Sequence, residues 1–312
     1  MGITADALGI FGWIEDHRAM ARPIGAVARG DIDAIRFDDL AFEGAHGRVG
    51  VTVFLPSVRQ VGILGEPEII CPYSAGWGEG LGAARTACEG LVRAANAMAV
   101  TIEYPKRRLA INEILPFRTA VFGEVIQHLR DHTMYDSATT VVTGYSRGTA
   151  PARMAAVEHS DVVTGLILVA PTWFGQQIKP RELATRGLAE SAGAMARSGW
   201  LDRINLVGAS VRLAQEMLAH PLDLRNDVAA ISQESAADLE EILATGLSVG
   251  VVAGVEDELC QVDGIRGVID TLADPDSVDF REVHSDHFSY FLAPKPLRVI
   301  AEVVKGLAAR SA

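Results

Sequence analysis

Cysteine is scarce. The 312 residues hold three, Cys71, Cys88 and Cys260, and none forms a C-x-x-C pair, so neither a zinc ribbon nor a disulfide framework is implied. Basic charge is also in deficit. Lys and Arg number 28 against 40 Asp and Glu, a formal net charge of −12. Such a chain repels a duplex nucleic acid unless a local basic patch overrides the total. The densest basic run, Lys106-Arg107-Arg108, is too short for that and reads as a solvated loop, so no nucleic-acid partner is expected. No run of about 18 apolar residues occurs, and no membrane span is expected. Residues 1–30 scatter Asp6, Glu15, Asp16, His17 and Arg18 among their apolar positions. That is not a charged n-region followed by an apolar h-region. A signal peptide is therefore not expected, and a reduced cytoplasmic compartment is the default. Internal repeats and low-complexity tracts are missing too.

What is present is an ordinary globular composition, 49% apolar and 22% charged. A chain of this length buries about three quarters of the surface it exposes when unfolded. Residues 1–30 read as a helical extension. Ala34 to Phe42 and Val49 to Leu55 read as an antiparallel strand pair joined through Glu43 to Gly47. From residue 67 strands and helices alternate. Strands are expected at Glu68–Pro72, Ala99–Glu103, Thr139–Thr143, Gly165–Ala170, Leu247–Ala253 and Val278–Val283. Helices are expected at Gly78–Met98, Asn112–His132, Ala150–Glu158, Val262–Leu272 and Leu297–Ala309. This rhythm argues an α/β fold with a mostly parallel sheet covered by helices on both faces. Residues 172–243 show no strand and read as a helical cap inserted after a strand, because loops at the carboxyl ends of such strands bind ligands. The expected organisation is an extension at 1–30, a core at 31–171 and 244–312, and a cap or lid at 172–243.

Residues 139–148 read TTVVTGYSRG. Gly144-Tyr145-Ser146-Arg147-Gly148 fits G-x-S-x-G, a sharp strand-to-helix turn that lifts a serine hydroxyl above the sheet. The pattern alone is weak, but a strand before it and a helix after it are its proper setting. A nucleophilic serine needs a base. Among eight histidines, His284 and His287 follow the last strand, in REVHSDHFSYFLAP. His287, in the loop past the strand, is preferred to His284. The base needs a carboxylate to fix its tautomer. Asp257 is preferred, with Glu256 and Glu258 as fallbacks, because it stands three residues past Gly254, which ends its strand.

On these residues the chain resembles the α/β-hydrolase superfamily. Nucleophile, acid and histidine follow in that order, each after a separate strand, and the cap falls in the interval between Ser146 and Asp257. The resemblance covers about residues 34–309. It implies acyl-transfer or related chemistry and does not imply a substrate, because the fold hosts many reactions; the expected activity is esterase-like hydrolysis of a small-molecule carboxylic ester without a cofactor. It also implies an oxyanion hole, one donor being the Arg147 backbone N–H. The second donor would come from PYSAGWGEG, where the family's usual His-Gly pair is absent, and Ser74 and Trp77 both stand as candidates. Tyr145, Trp173, Phe174 and Trp200, with Met195, Leu206 and Met217, are candidates to line an acyl or alcohol pocket or to form the cap's own core. The Arg147 side chain could meet a substrate carboxylate or form a structural ion pair.

Other readings stand beside this one. An acyltransferase, a C–C bond hydrolase or a non-catalytic binding member would carry the same residues. Gly78-Glu79-Gly80-Leu81-Gly82-Ala83, with Glu103 about 20 residues on, matches a dinucleotide-binding fingerprint, although its first glycine comes late after the strand. His128 and His132 share a helix face without the H-E-x-x-H pattern, and no metal is expected. A homodimer is left open.

Overall fold

The computed structural model describes residues 36–56, 68–76, 81–105, 109–131, 138–172, 186, 190, 236–291 and 293–310. Among these lie strands β1 (Arg36–Gly44), β2 (Gly47–Leu55), β3 (Ile69–Ser74), β4 (Met98–Glu103), β5 (Thr139–Tyr145), β6 (Gly165–Val169), β7 (Ser248–Gly254) and β8 (Val278–Val283). The helices are α1 (Leu81–Ala95), α2 (Ile111–Asp131), α3 (Thr149–Glu158), α4 (Ala236–Ala244), α5 (Val262–Ile269) and α6 (Pro294–Arg310). The strands form one open sheet in the order β1-β2-β4-β3-β5-β6-β7-β8. β2 runs antiparallel to β1 and β4, and every other pairing is parallel.

Connection length explains the two kinds of pairing. Only Ala45 and His46 separate β1 from β2, and Gly47 closes that turn at φ 111°, a left-handed conformation suited to glycine. So tight a connection can only reverse the chain. From β3 to β4 and from β5 to β6 a helix intervenes, which allows parallel return. The central strands are apolar on both faces, as parallel strands under two helical layers must be. β6 is buried throughout, and β7 is buried after its first residue.

Alternation along the strands sends residues to opposite layers. Val49, Val51, Val53, Ile70, Met98 and Val100 pack with Phe117, Val121, Val125 and Leu129 of α2. Cys71, Tyr73 and Ala99 pack in the main core with Leu91 of α1 and Val303, Val304 and Leu307 of α6. α6 lies so close to the sheet that a Cβ on Gly250 would stand 2.4 Å from Val303 Cγ1. Mid-strand glycine here makes room for a helix.

The strand pattern follows the sequence expectation with shifts at the ends. β3 runs through Pro72 to Ser74, not stopping at Pro72. Its pairing with β5 falls at Ile69, Ile70, Tyr73 and Ser74 and skips Cys71 and Pro72, so the proline's missing N–H costs no ladder bond there. α4 lies within the stretch the sequence assigns to the cap, yet Leu239 and Ile242 sit in the main core. Residues 1–30 and, apart from Thr172, Arg186, Glu190 and 236–243, the cap stretch lie outside the described residues. All three cysteines are buried free thiols. Among the described residues no helix is long and apolar enough to cross a membrane.

Gly250→Ala is expected to cost about 1–3 kcal/mol through overpacking against α6, read as a lowered denaturation midpoint with an unchanged m-value. A midpoint equal to that of the unsubstituted protein would mean that α6 retreats freely.

Candidate active site

β5 ends at Tyr145, and the chain turns at Ser146 through a short 3₁₀ segment, Ser146–Gly148, into α3. Ser146 has φ 51°, a conformation that costs a non-glycine residue of order 1–3 kcal/mol and persists where its surroundings fix it. They do so here. The Ser146 carbonyl accepts hydrogen bonds from Thr149 Oγ1 at 2.6 Å and Thr172 Oγ1 at 3.5 Å. The flanking glycines are required by contact and not by dihedral. A Cβ on Gly144 would meet Thr149 Cα at 2.7 Å, and one on Gly148 would meet the Ser74 carbonyl oxygen at 2.1 Å.

The acid arrives from β7. Asp257 stands three residues beyond Gly254, with none of its side chain exposed. Its Oδ1 accepts the backbone N–H groups of Leu259, at 2.9 Å, and Cys260, at 2.7 Å. Its Oδ2 accepts the Tyr290 hydroxyl at 3.2 Å and faces Nδ1 of His287 at 2.9 Å. An ionised carboxylate only accepts, so Nδ1 carries the proton and Nε2 is left as an acceptor. Nε2 lies 2.9 Å from Ser146 Oγ. The hydrogen bonds thus run from the serine hydroxyl through the imidazole to the carboxylate.

His287 sits in the loop after β8. Asp286 Oδ1 accepts from the Phe288 backbone N–H at 3.0 Å and from Ser289 Oγ at 2.8 Å. Tyr145, the residue before the serine, stacks its ring near the imidazole, and its hydroxyl donates to the His287 carbonyl. Burial alone pushes the His287 pKa down. The Asp257 charge and hydrogen bond, then the charges of Glu190 and Asp286, outweigh burial, and the net shift is upward.

No family model matches the sequence, and no curated protein matches it. Solved structures do. Esterase LipW from Mycobacterium marinum has 17% identity over 99% of this chain and 91% of that one, with a TM-score of 0.58. Carboxyl esterase 2 from Tuber melanosporum has 14% identity over 89% and 87%, with a TM-score of 0.56. A peroxisomal alpha-beta-hydrolase from Saccharomyces cerevisiae has 13% identity over 88% of each chain, with a TM-score of 0.59. The chain has the α/β-hydrolase fold.

Within that α/β-hydrolase sheet the alternatives left by the sequence separate geometrically. The His284 side chain is 87% exposed and faces Glu256 at 3.6 Å, whereas Ser146 is buried. The imidazole's carboxylate partner is Asp257, and the Glu258 carbonyl accepts from Arg186. Ser74 is not in the loop past β3; it is the buried last residue of that strand, in register with Gly144. Gly76 approaches the serine closely, since a Cβ there would lie 3.1 Å from Ser146 Cβ. Arg147 is buried. Its charge acts on Tyr104, whose phenol is pushed up by burial and held back by Arg118 and Arg147. Tyr145 is buried against the histidine loop. Trp77, Trp173, Phe174, Met195, Trp200, Leu206 and Met217 lie outside the described residues. So do Gly78, Gly80 and His132, while His128 stacks on Phe42 with centroids 4.1 Å apart.

Sequence reading missed Tyr290 and Glu190. Tyr290 stands three residues past His287, so an aromatic with a hydroxyl in that loop was the available signal. Glu190 is 97 residues from the His287 N–H it accepts, and no local pattern marks it. Asp257, Cys260 and His287 cluster with ligand atoms within 4.8 Å of one another, but they suit a metal poorly. The carboxylate already accepts four hydrogen bonds or contacts, and burial first, then Asp257 and Glu190, push the Cys260 thiol up, which keeps it protonated.

Gly148→Ala would drive a methyl into the Ser74 carbonyl. The expected result is a destabilisation of about 1–3 kcal/mol together with slower reaction of Ser146 with a fluorophosphonate probe. Unchanged labelling and stability would show that the turn has slack.

Proposed function

We propose that the protein is a serine hydrolase acting on a carboxylic ester, or a related acyl compound, of modest size. The observation that carries this reading is the pair of 2.9 Å contacts linking Ser146 to His287 and His287 to Asp257. The esterases among its structural neighbours support the same reaction class.

The steps follow from the proton positions. Ser146 Oγ attacks the carbonyl carbon and its proton passes to His287 Nε2, while Asp257 stabilises the imidazolium. The tetrahedral oxyanion takes a hydrogen bond from the Arg147 backbone N–H. The close approach of Gly76 to Ser146 supports the chain just past β3, over the strand-bound Ser74, as source of the second donor. Each donor of this kind contributes about 3–4 kcal/mol to the barrier reduction. Collapse of the intermediate expels the alcohol, protonated by His287, and leaves an ester on Ser146. Water deprotonated by the same histidine then releases the acid. No step needs a cofactor.

Replacing Ser146 by Ala is expected to keep the fold and lower turnover of a nitrophenyl ester by about three or more orders of magnitude. Undiminished turnover would remove Ser146 from the mechanism. The base must be neutral to accept the proton, and its pKa is raised above the ordinary 6.5. The value of kcat/KM is therefore expected to rise with pH through a group titrating above 6.5 and then level off. A flat profile between pH 5 and 8 would count against His287.

A further inference from the structure

Glu190 is a buried carboxylate that the mechanism above does not use. It belongs to the segment between β6 and β7 and is only 7% exposed. Its Oε1 accepts the backbone N–H of His287 at 2.6 Å. Its Oε2 is buried with no hydrogen-bond partner among the described residues. Four residues earlier in the same segment, Arg186 Nη1 donates to the carbonyl of Glu258, one residue past Asp257, at 3.2 Å. Arg186 and Glu190 thus bond to the main chain of the loops that carry Asp257 and His287.

A carboxylate is an expensive way to satisfy main-chain N–H groups. Burying its charge carries a desolvation penalty that a glutamine would largely avoid. The penalty is offset where positive charge appears nearby, and the imidazolium of His287 is such a charge. We infer that Glu190 is a positioning residue for the triad histidine, holding the main chain of His287 and adding a second negative charge, beside that of Asp257, to stabilise the imidazolium. The inference rests on reading Ser146 and His287 as nucleophile and base.

The surrounding charges agree with it. Burial raises the Glu190 pKa to about 7, with His287 lowering it, Asp257 raising it, and the backbone N–H groups of His287 and Glu258 lowering it. Glu190 in turn raises His287, together with Asp257 and Asp286, and raises Cys260. Base and positioning carboxylate thus act on each other, each favouring the charged form of its partner.

The test is the pair Glu190→Gln and Glu190→Ala in the full chain. Gln keeps an acceptor for the His287 N–H and removes the charge. The imidazole pKa of His287, read by NMR titration, is expected to fall by about half a unit or more in E190Q, and the rising limb of kcat/KM to move to lower pH with it. Values of kcat are expected to fall several-fold in E190Q and by up to about 100-fold in E190A, with KM little changed. A His287 pKa equal to that of the unsubstituted protein in a folded E190Q would overturn the inference. So would unchanged kcat in E190A. The NMR titration needs no turnover, so it separates the two readings: an unsubstituted protein whose Ser146 ignores a fluorophosphonate defeats the proposed function, while the imidazole shift still decides the role of Glu190.

Discussion

The site is organised around a carboxylate that has no access to water. Asp257 must find every hydrogen bond inside the protein, because an unpaired buried charge costs several kcal/mol. Its partners come from two places. The Leu259 and Cys260 N–H groups belong to its own turn after β7. Tyr290 and His287 belong to the loop after β8. Satisfying Asp257 therefore draws the second loop over the first and fixes the imidazole in the one tautomer that leaves Nε2 free to accept. Backbone contacts reinforce the arrangement: the Val255 N–H donates to the Val283 carbonyl and the Glu256 N–H to that of Ser285.

The sheet supplies the distance. β5, β6, β7 and β8 lie side by side and parallel, so the turns that follow β5, β7 and β8 leave the same edge. Side chains 141 residues apart in sequence then meet at 2.9 Å. The strands are fixed by burial on both faces, whereas the turns carry the strain. The left-handed Ser146 is held from one side by α3 and from the other by the end of β3, whose Ser74 carbonyl leaves no room for a side chain at position 148.

Much of this was legible in the sequence, and the legible part has a physical basis. Apolar runs such as GLILV and VVT bounded by glycine announce buried strands, and G-x-S-x-G between strand and helix announces the turn. Choosing His287 over His284 and Asp257 over its acidic neighbours used only distance past the strand end; the structure buries His287 and Asp257 and leaves His284 exposed. The contacts that tune the site were not legible. Pro72 suggested a strand end because the gap in pairing that accommodates it depends on β5. The short helix Ala236–Ala244 reads the same on a core or a cap. Glu190 meets His287 through a main-chain N–H, and such a contact leaves no signature in residue type.

On the proposed mechanism, the electrostatics of His287 involve a compromise. Three carboxylates, of Asp257, Glu190 and Asp286, raise the His287 pKa against the opposing effect of burial. A more basic imidazole takes the serine proton more readily, yet a smaller fraction of it is neutral at a given pH, and the most effective base titrates near the working pH. Burial and carboxylates thus act as opposing controls on one ring. Asp257 cannot be the adjustable control, because it also fixes the tautomer. Glu190 touches only the main chain of the histidine, so its charge can tune the ring without holding its orientation. A carboxylate whose pKa burial raises to about 7 keeps its charge above that pH and loses it below, so its hold on the imidazolium weakens as the pH falls.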